Sequence, residues 1–141
     1  MKMRMIISHG LRNAMIVIAL LGVISLASNA DASSLKKSRK NGVTVDVKPM
    51  TFALGQPAKF EVSMSTHSVD LGEDMADVST LTDDQGQEYR PVNWDGDGPG
   101  GHHRSGVLEF PALEGTPKSV TLVIRNIAKV PERVFQWNLE D

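Results

Sequence analysis

The chain has no cysteine. That excludes a disulfide framework and a lipid carried on a lipoprotein cysteine, so the fold must be held by its core alone even in an oxidising compartment. It also has no stretch in which apolar residues recur with sustained helical spacing, which leaves strand periodicity as the organising pattern. No GxSxG occurs, so the nucleophile elbow of one large class of hydrolases is missing, and Ser105 beside Arg104 and two histidines says little about geometry. Acids are absent from the first thirty residues.

Those thirty residues read as a targeting segment. Lys2, Arg4 and Arg12 precede an apolar run over residues 14–27, and small residues follow around Ala30 and Ala32. This is the order of a secretory signal peptide, expected over residues 1–32 with cleavage after Ala30 or Ala32. The run is short of the roughly 20 residues that cross a bilayer comfortably. An uncleaved anchor is the competing reading, and Lys36, Lys37, Arg39 and Lys40 just beyond the cleavage region resist translocation. The expected location is periplasmic or secreted, with membrane contact only transient, through the signal segment. Residues 33–42 read as a basic, solvated linker.

From residue 41 onward there are eight Lys and Arg against sixteen Asp and Glu. An acidic domain repels nucleic acid and anionic lipid, so neither is expected as its partner. Over residues 43–141 the apolar period becomes two. Val43, Val45 and Val47 alternate with polar residues, as do Phe60, Val62 and Met64, then Leu108 and Phe110, then Val120, Leu122 and Ile124, and last Phe135, Trp137 and Leu139. Asp83-Asp84-Gln85-Gly86 carries hairpin turn chemistry. Residues 72–77 (GEDMAD) read as an acidic surface turn, and Pro131 keeps residues 126–132 out of a central strand. The pattern predicts an all-β fold, an antiparallel immunoglobulin-like β-sandwich of about seven strands following the signal peptide. Trp137 is in core phase.

Residues 93–106 (NWDGDGPGGHHRSG) stand apart. Five glycines and a proline disfavour regular structure, and the segment is expected to be a loop. Yet it carries Trp94, Asp95, Asp97, His102, His103 and Arg104, more chemistry than a plain connection needs. The segments THSVDL (residues 66–71), LTDDQGQEY (81–89) and GGHHRSGVLEF (100–110) resemble an uncharacterised group of short secreted prokaryotic β-sandwich proteins. The resemblance covers most of the mature chain and implies one domain; it implies no activity.

Two non-catalytic functions fit these residues. The first is a transition-metal site for copper or zinc, with His67 from a strand end, His102 or His103 from the loop, and Asp70, Asp95 or Asp97 supplying oxygen. Adjacent residues point to opposite sides, so one of His102 and His103 is expected to face His67. Met64 and Met75 could add thioether ligands for reduced copper, although Met64 is in core phase. The second is a protein- or glycan-interaction module in the cell envelope, with Trp94 and Arg104 as contact residues. In that reading the histidines are structural, tying down loop carbonyls while Arg104 bridges to Asp95 or Asp97. A calcium loop fits poorly, because Gly106 stands where a bidentate Glu is needed. Sugar hydrolysis by paired carboxylates lacks an acid in dry surroundings.

Overall fold

The computed structural model describes residues 32–139. The signal peptide read over residues 1–32 lies outside these residues but for Ala32. The strands are β1 (Lys36–Lys40), β2 (Val43–Thr51), β3 (Pro57–Thr66), β4 (Ser79–Asp83), β5 (Glu88–Tyr89), β6 (Asn93–Gly96), β7 (His103–Ala112), β8 (Ser119–Arg125) and β9 (Glu132–Asn138). One helical turn, α1 (Met75–Val78), precedes β4. Every pairing is antiparallel, in a five-stranded sheet ordered β1-β2-β3-β7-β6 and a four-stranded sheet ordered β5-β4-β8-β9.

The period of two is the cause of this arrangement. Val43, Val45, Val47, Phe60, Val62, Met64, Leu108 and Phe110 face inward from the first sheet; Leu81, Val120, Leu122, Ile124, Phe135 and Trp137 face them from the second. A sheet with one apolar face can bury it only against another such face. Phe60 joins the two layers, with its ring 5.3 Å from that of Trp137 and 5.7 Å edge-on from that of Phe110.

The hairpin between β4 and β5 turns at residues 83–87, with Gly86 at φ +85°. Asp83 sits 6% exposed beneath it, and its Oδ1 accepts from the backbone N–H groups of Gln85 and Gln87, both at 2.9 Å. Its Oδ2 accepts the Tyr89 hydroxyl proton at 3.0 Å, and the Tyr89 oxygen in turn accepts the Glu114 N–H at 3.0 Å. Burial pushes the Tyr89 phenol above its ordinary range, with the Asp83 carboxylate adding to the effect. A folded-state pKa above the unfolded one gives stability that is intact below about pH 10 and lost as pH rises beyond it. Tyr89→Phe is therefore expected to be less stable at neutral pH but to lose less stability on going from pH about 9 to about 11, read from urea midpoints at each pH.

Three expectations are corrected. The basic stretch read as a linker contains β1, whose residues pair with Val43–Val47 across an Asn41-Gly42 turn with both φ angles positive (48° and 74°). Two central residues with positive φ make the tight turn that suits twisted antiparallel strands. Lysines and arginine leave the backbone free to pair while their charges stay in water, as suits an edge strand. Residues 72–77 are not merely a surface turn: Asp74 caps α1, accepting from Ala76 N and Asp77 N, and Met75 is fully buried. Residues 93–106 are not a loop throughout but belong to the hairpin β6–β7, so the described residues form nine strands where about seven were expected. Trp94 and Gly96 face Leu108 and Gly106, and the indole packs against the core where glycines leave room for it.

Candidate functional site

The end of β3 and the start of β7 are antiparallel neighbours, which brings His67, His102 and His103 to one rim of the sandwich. The ladder runs through Ser65 and His103 and continues as Thr66 N donating to His102 O at 2.9 Å. Beyond it the chains remain laced together. Leu71 N donates to Gly101 O at 3.1 Å, Gly100 N to Leu71 O at 2.8 Å, and Gly101 N to Asp70 Oδ1 at 2.8 Å. Asp97 Oδ2 accepts Ser105 N at 2.8 Å and its hydroxyl at 3.4 Å. The glycine-rich segment is thus fixed by its backbone and by two aspartates.

Arg104 is the centre of that fixation. It is 2% exposed, and one terminal nitrogen donates to the carbonyls of Leu71 at 2.9 Å and Glu73 at 2.7 Å, the other to that of Asp97 at 3.3 Å. Its guanidinium lies 5.8 Å from the Trp94 ring centroid, a cation–π distance, and Trp94 Nε1 donates to the same Asp97 carbonyl at 2.9 Å. The expected carboxylate bridge from Arg104 to Asp95 or Asp97 does not form; carbonyl oxygens take its place. Arg104 is buried and serves as scaffold for the rim, without the exposed recognition face expected of it, and Trp94 is half-buried against the core.

The histidines are arranged in the opposite way. His67, His102 and His103 are exposed, and among the described residues none of the three imidazoles makes a hydrogen bond. The structural task expected of them falls to Asp70, Asp97 and Arg104. Among the described residues no three His, Asp or Glu side chains stand as a group that could hold a metal ion. The physical reason is visible in the register. Asp95 pairs with Val107, four residues along β7 from His103, or about 13 Å at strand spacing. One Asp70 oxygen is already engaged by Gly101 N, and Met64 and Met75 are both buried in the core. The copper or zinc set of His67, His102, His103, Asp70 and Asp95 is not assembled.

What the rim does assemble is a cleft of about 330 Å³ lined by Arg39, Gly42, Thr44, Ser65, Thr66 and His67. Arg39, Thr44, Ser65 and His103 form one cross-strand row over β1, β2, β3 and β7. Arg39 Nε donates to Thr44 Oγ1 at 3.2 Å, while its two terminal nitrogens have no partner among the described residues. Sequence reasoning missed Arg39, Thr44 and Ser65. The signal that would have found them is Asn41-Gly42, a hairpin dipeptide that folds the basic stretch back beside β2.

Comparison with protein-family models, with curated proteins and with solved structures finds no match to this chain. Function must therefore be sought in the rim itself.

Proposed function

We propose that the protein is an exported, non-catalytic binding module of immunoglobulin-like architecture, and that the rim bearing His67, His102 and His103 is its recognition surface for a small ligand or a cell-envelope partner. One observation carries this reading. Three exposed imidazoles with no internal hydrogen-bond partner sit on a segment immobilised by backbone bonds and by buried Arg104. A side chain that stabilises its own loop is bonded to it; these donors and acceptors are instead held outward on a rigid frame, at low entropic cost to a binding partner. The order of charge and apolarity in residues 1–32 supports export.

The test is a comparison of two surfaces. A His67→Ala/His103→Ala variant and a Thr121→Ala/Gln136→Ala variant on the opposite sheet are used to capture partners from envelope extracts, after circular dichroism shows both folded. Loss of captured species with the first variant alone is the expected result. Equal capture by both variants, or no capture by the unmodified protein above bare resin, removes the proposal.

A further inference from the structure

We infer that the cleft beside His67 is a site for an oxyanion, the carboxylate or phosphate group of a small ligand; the inference rests on the rim being the recognition surface and names the chemistry it recognises. Of the residues lining this cleft, Arg39, Thr44, Ser65 and His67 carry polar side chains on the outward face, Thr66 is buried beneath them, and no carboxylate is among the lining. That is a selective lining in a domain with twice as many acids as bases from residue 41 onward. A cation would meet Arg39 with no anionic oxygen to receive it, whereas an oxyanion meets a guanidinium fork, an imidazole and hydroxyl groups.

The donors are also held in place. The bond from Arg39 Nε to Thr44 Oγ1 fixes the guanidinium plane and leaves the terminal N–H groups to a ligand. Asn41 Nδ2 donates to Ala128 O at 3.1 Å, anchoring the β1–β2 turn that forms one wall. A preformed cleft of about 330 Å³ holds more than a bare ion, since a water occupies about 30 Å³, so the anionic group is expected to belong to a larger organic molecule. The acidic domain repels anions at long range. A bare inorganic ion is for that reason expected to bind weakly, with a dissociation constant of about millimolar.

The experiment titrates inorganic phosphate, and separately citrate, into the purified protein labelled at histidine and arginine, with ionic strength and pH held constant by chloride salts. Saturable shifts of the His67 ring and Arg39 Nε–H resonances are expected with at least one of the two, and which one saturates at lower concentration distinguishes a phosphate-bearing from a carboxylate-bearing ligand. Arg39→Gln should weaken binding about 10- to 100-fold, the loss of charge-assisted hydrogen bonds. Lys48→Gln removes the same charge from the same face of β2, four residues from Thr44, and should change affinity less than about twofold at matched salt. Shifts that never saturate with either anion, or equal weakening in the two variants, overturn the oxyanion assignment. That failure is separable from failure of the rim itself. If the paired histidine variant still loses its captured partners while neither anion binds, the rim stands and the ligand class falls. Saturable anion binding beside unchanged capture leaves the cleft an anion site and removes the rim as a partner surface.

Discussion

Gly106→Ala is expected to lower stability by about 3 kcal/mol, and Gly98→Ala, eight residues earlier in the same glycine-rich segment, to change it by less than about 0.5 kcal/mol. A methyl on Gly106 would stand 2.7 Å from the Gly96 Cα, 2.7 Å from Trp94 Cζ2 and 2.8 Å from the Asp95 carbonyl oxygen. Two of those three obstacles are backbone atoms of the paired strand, so rotation of a side chain cannot relieve them. Either β6 separates from β7 or the indole leaves its place, and the second outcome strips Arg104 of its aromatic face and Asp97 O of the Trp94 donor. By contrast nothing lies within 4 Å of a methyl built on Gly98. Urea denaturation of the two variants reads the difference directly. Gly106→Ala should also collapse the dispersion of the His102 and His103 ring resonances, because the frame beneath them is lost. Equal midpoints for the two variants would mean that the hairpin tolerates the added volume and that the indole does not depend on those glycines.

The same contrast between packed and open positions explains which parts of the fold were legible. Strands β2, β3, β7, β8 and β9 announce themselves because one face is apolar and the other wet, and Trp137 and Met64 fall where their phase puts them. The turn at residues 83–86 was equally legible, since Gly86 supplies the positive φ. Strand β6 was hidden because its stability comes from an indole packed over two glycines, a tertiary contact that outweighs the poor strand propensity of glycine and leaves no periodic trace. Strand β1 was hidden because its charges resemble those of a solvated segment. Arg104 was misassigned although the phase was available: counting back by twos from Phe110 and Leu108 passes Gly106 and arrives at Arg104 on the inner face, with Ser105 and His103 outward. An arginine reads as surface by type, and only the register shows it turned inward. The meeting of the His67 strand end with the segment bearing His102 and His103 was expected from the metal-site reading and is seen in the register of β3 and β7; the cleft was not expected, because Arg39 reaches it from a strand that the charge pattern concealed.

Arg133, on the edge strand β9 of the four-stranded sheet, repeats the arrangement, and Arg133→Leu is expected to lower stability by about 3 kcal/mol or more. It is fully buried on the inward phase of Phe135 and Trp137. Its terminal nitrogens donate to Ser38 O at 3.3 Å, Ser38 Oγ at 3.1 Å, Val43 O at 3.3 Å, Lys40 O at 2.9 Å and Ile127 O at 3.5 Å. Two effects oppose each other in the substitution. Removing the cation recovers its desolvation cost, which is real, since burial pushes the Arg133 guanidinium below its ordinary range. When both members of a buried polar set are exchanged for apolar groups, that recovery can prevail. Here the acceptors are backbone carbonyls that no substitution removes, and each left dry and unpaired costs about 1–3 kcal/mol. Ile127 O keeps the Val130 N–H at 3.1 Å, and the other three, Ser38 O, Val43 O and Lys40 O, outweigh one recovered charge. Because Ser38 O and Lys40 O lie on β1, the substitution should also free the outward edge of that strand, seen as faster amide exchange over Lys36–Lys40 and as self-association in light scattering. Arg39 then loses its fixed backbone, so phosphate or citrate binding in the cleft should weaken in parallel with β1 protection. An Arg133→Leu protein as stable as the parent, with β1 amides equally protected, would show that those carbonyls reach water and that β1 is held by its ladder to β2 alone.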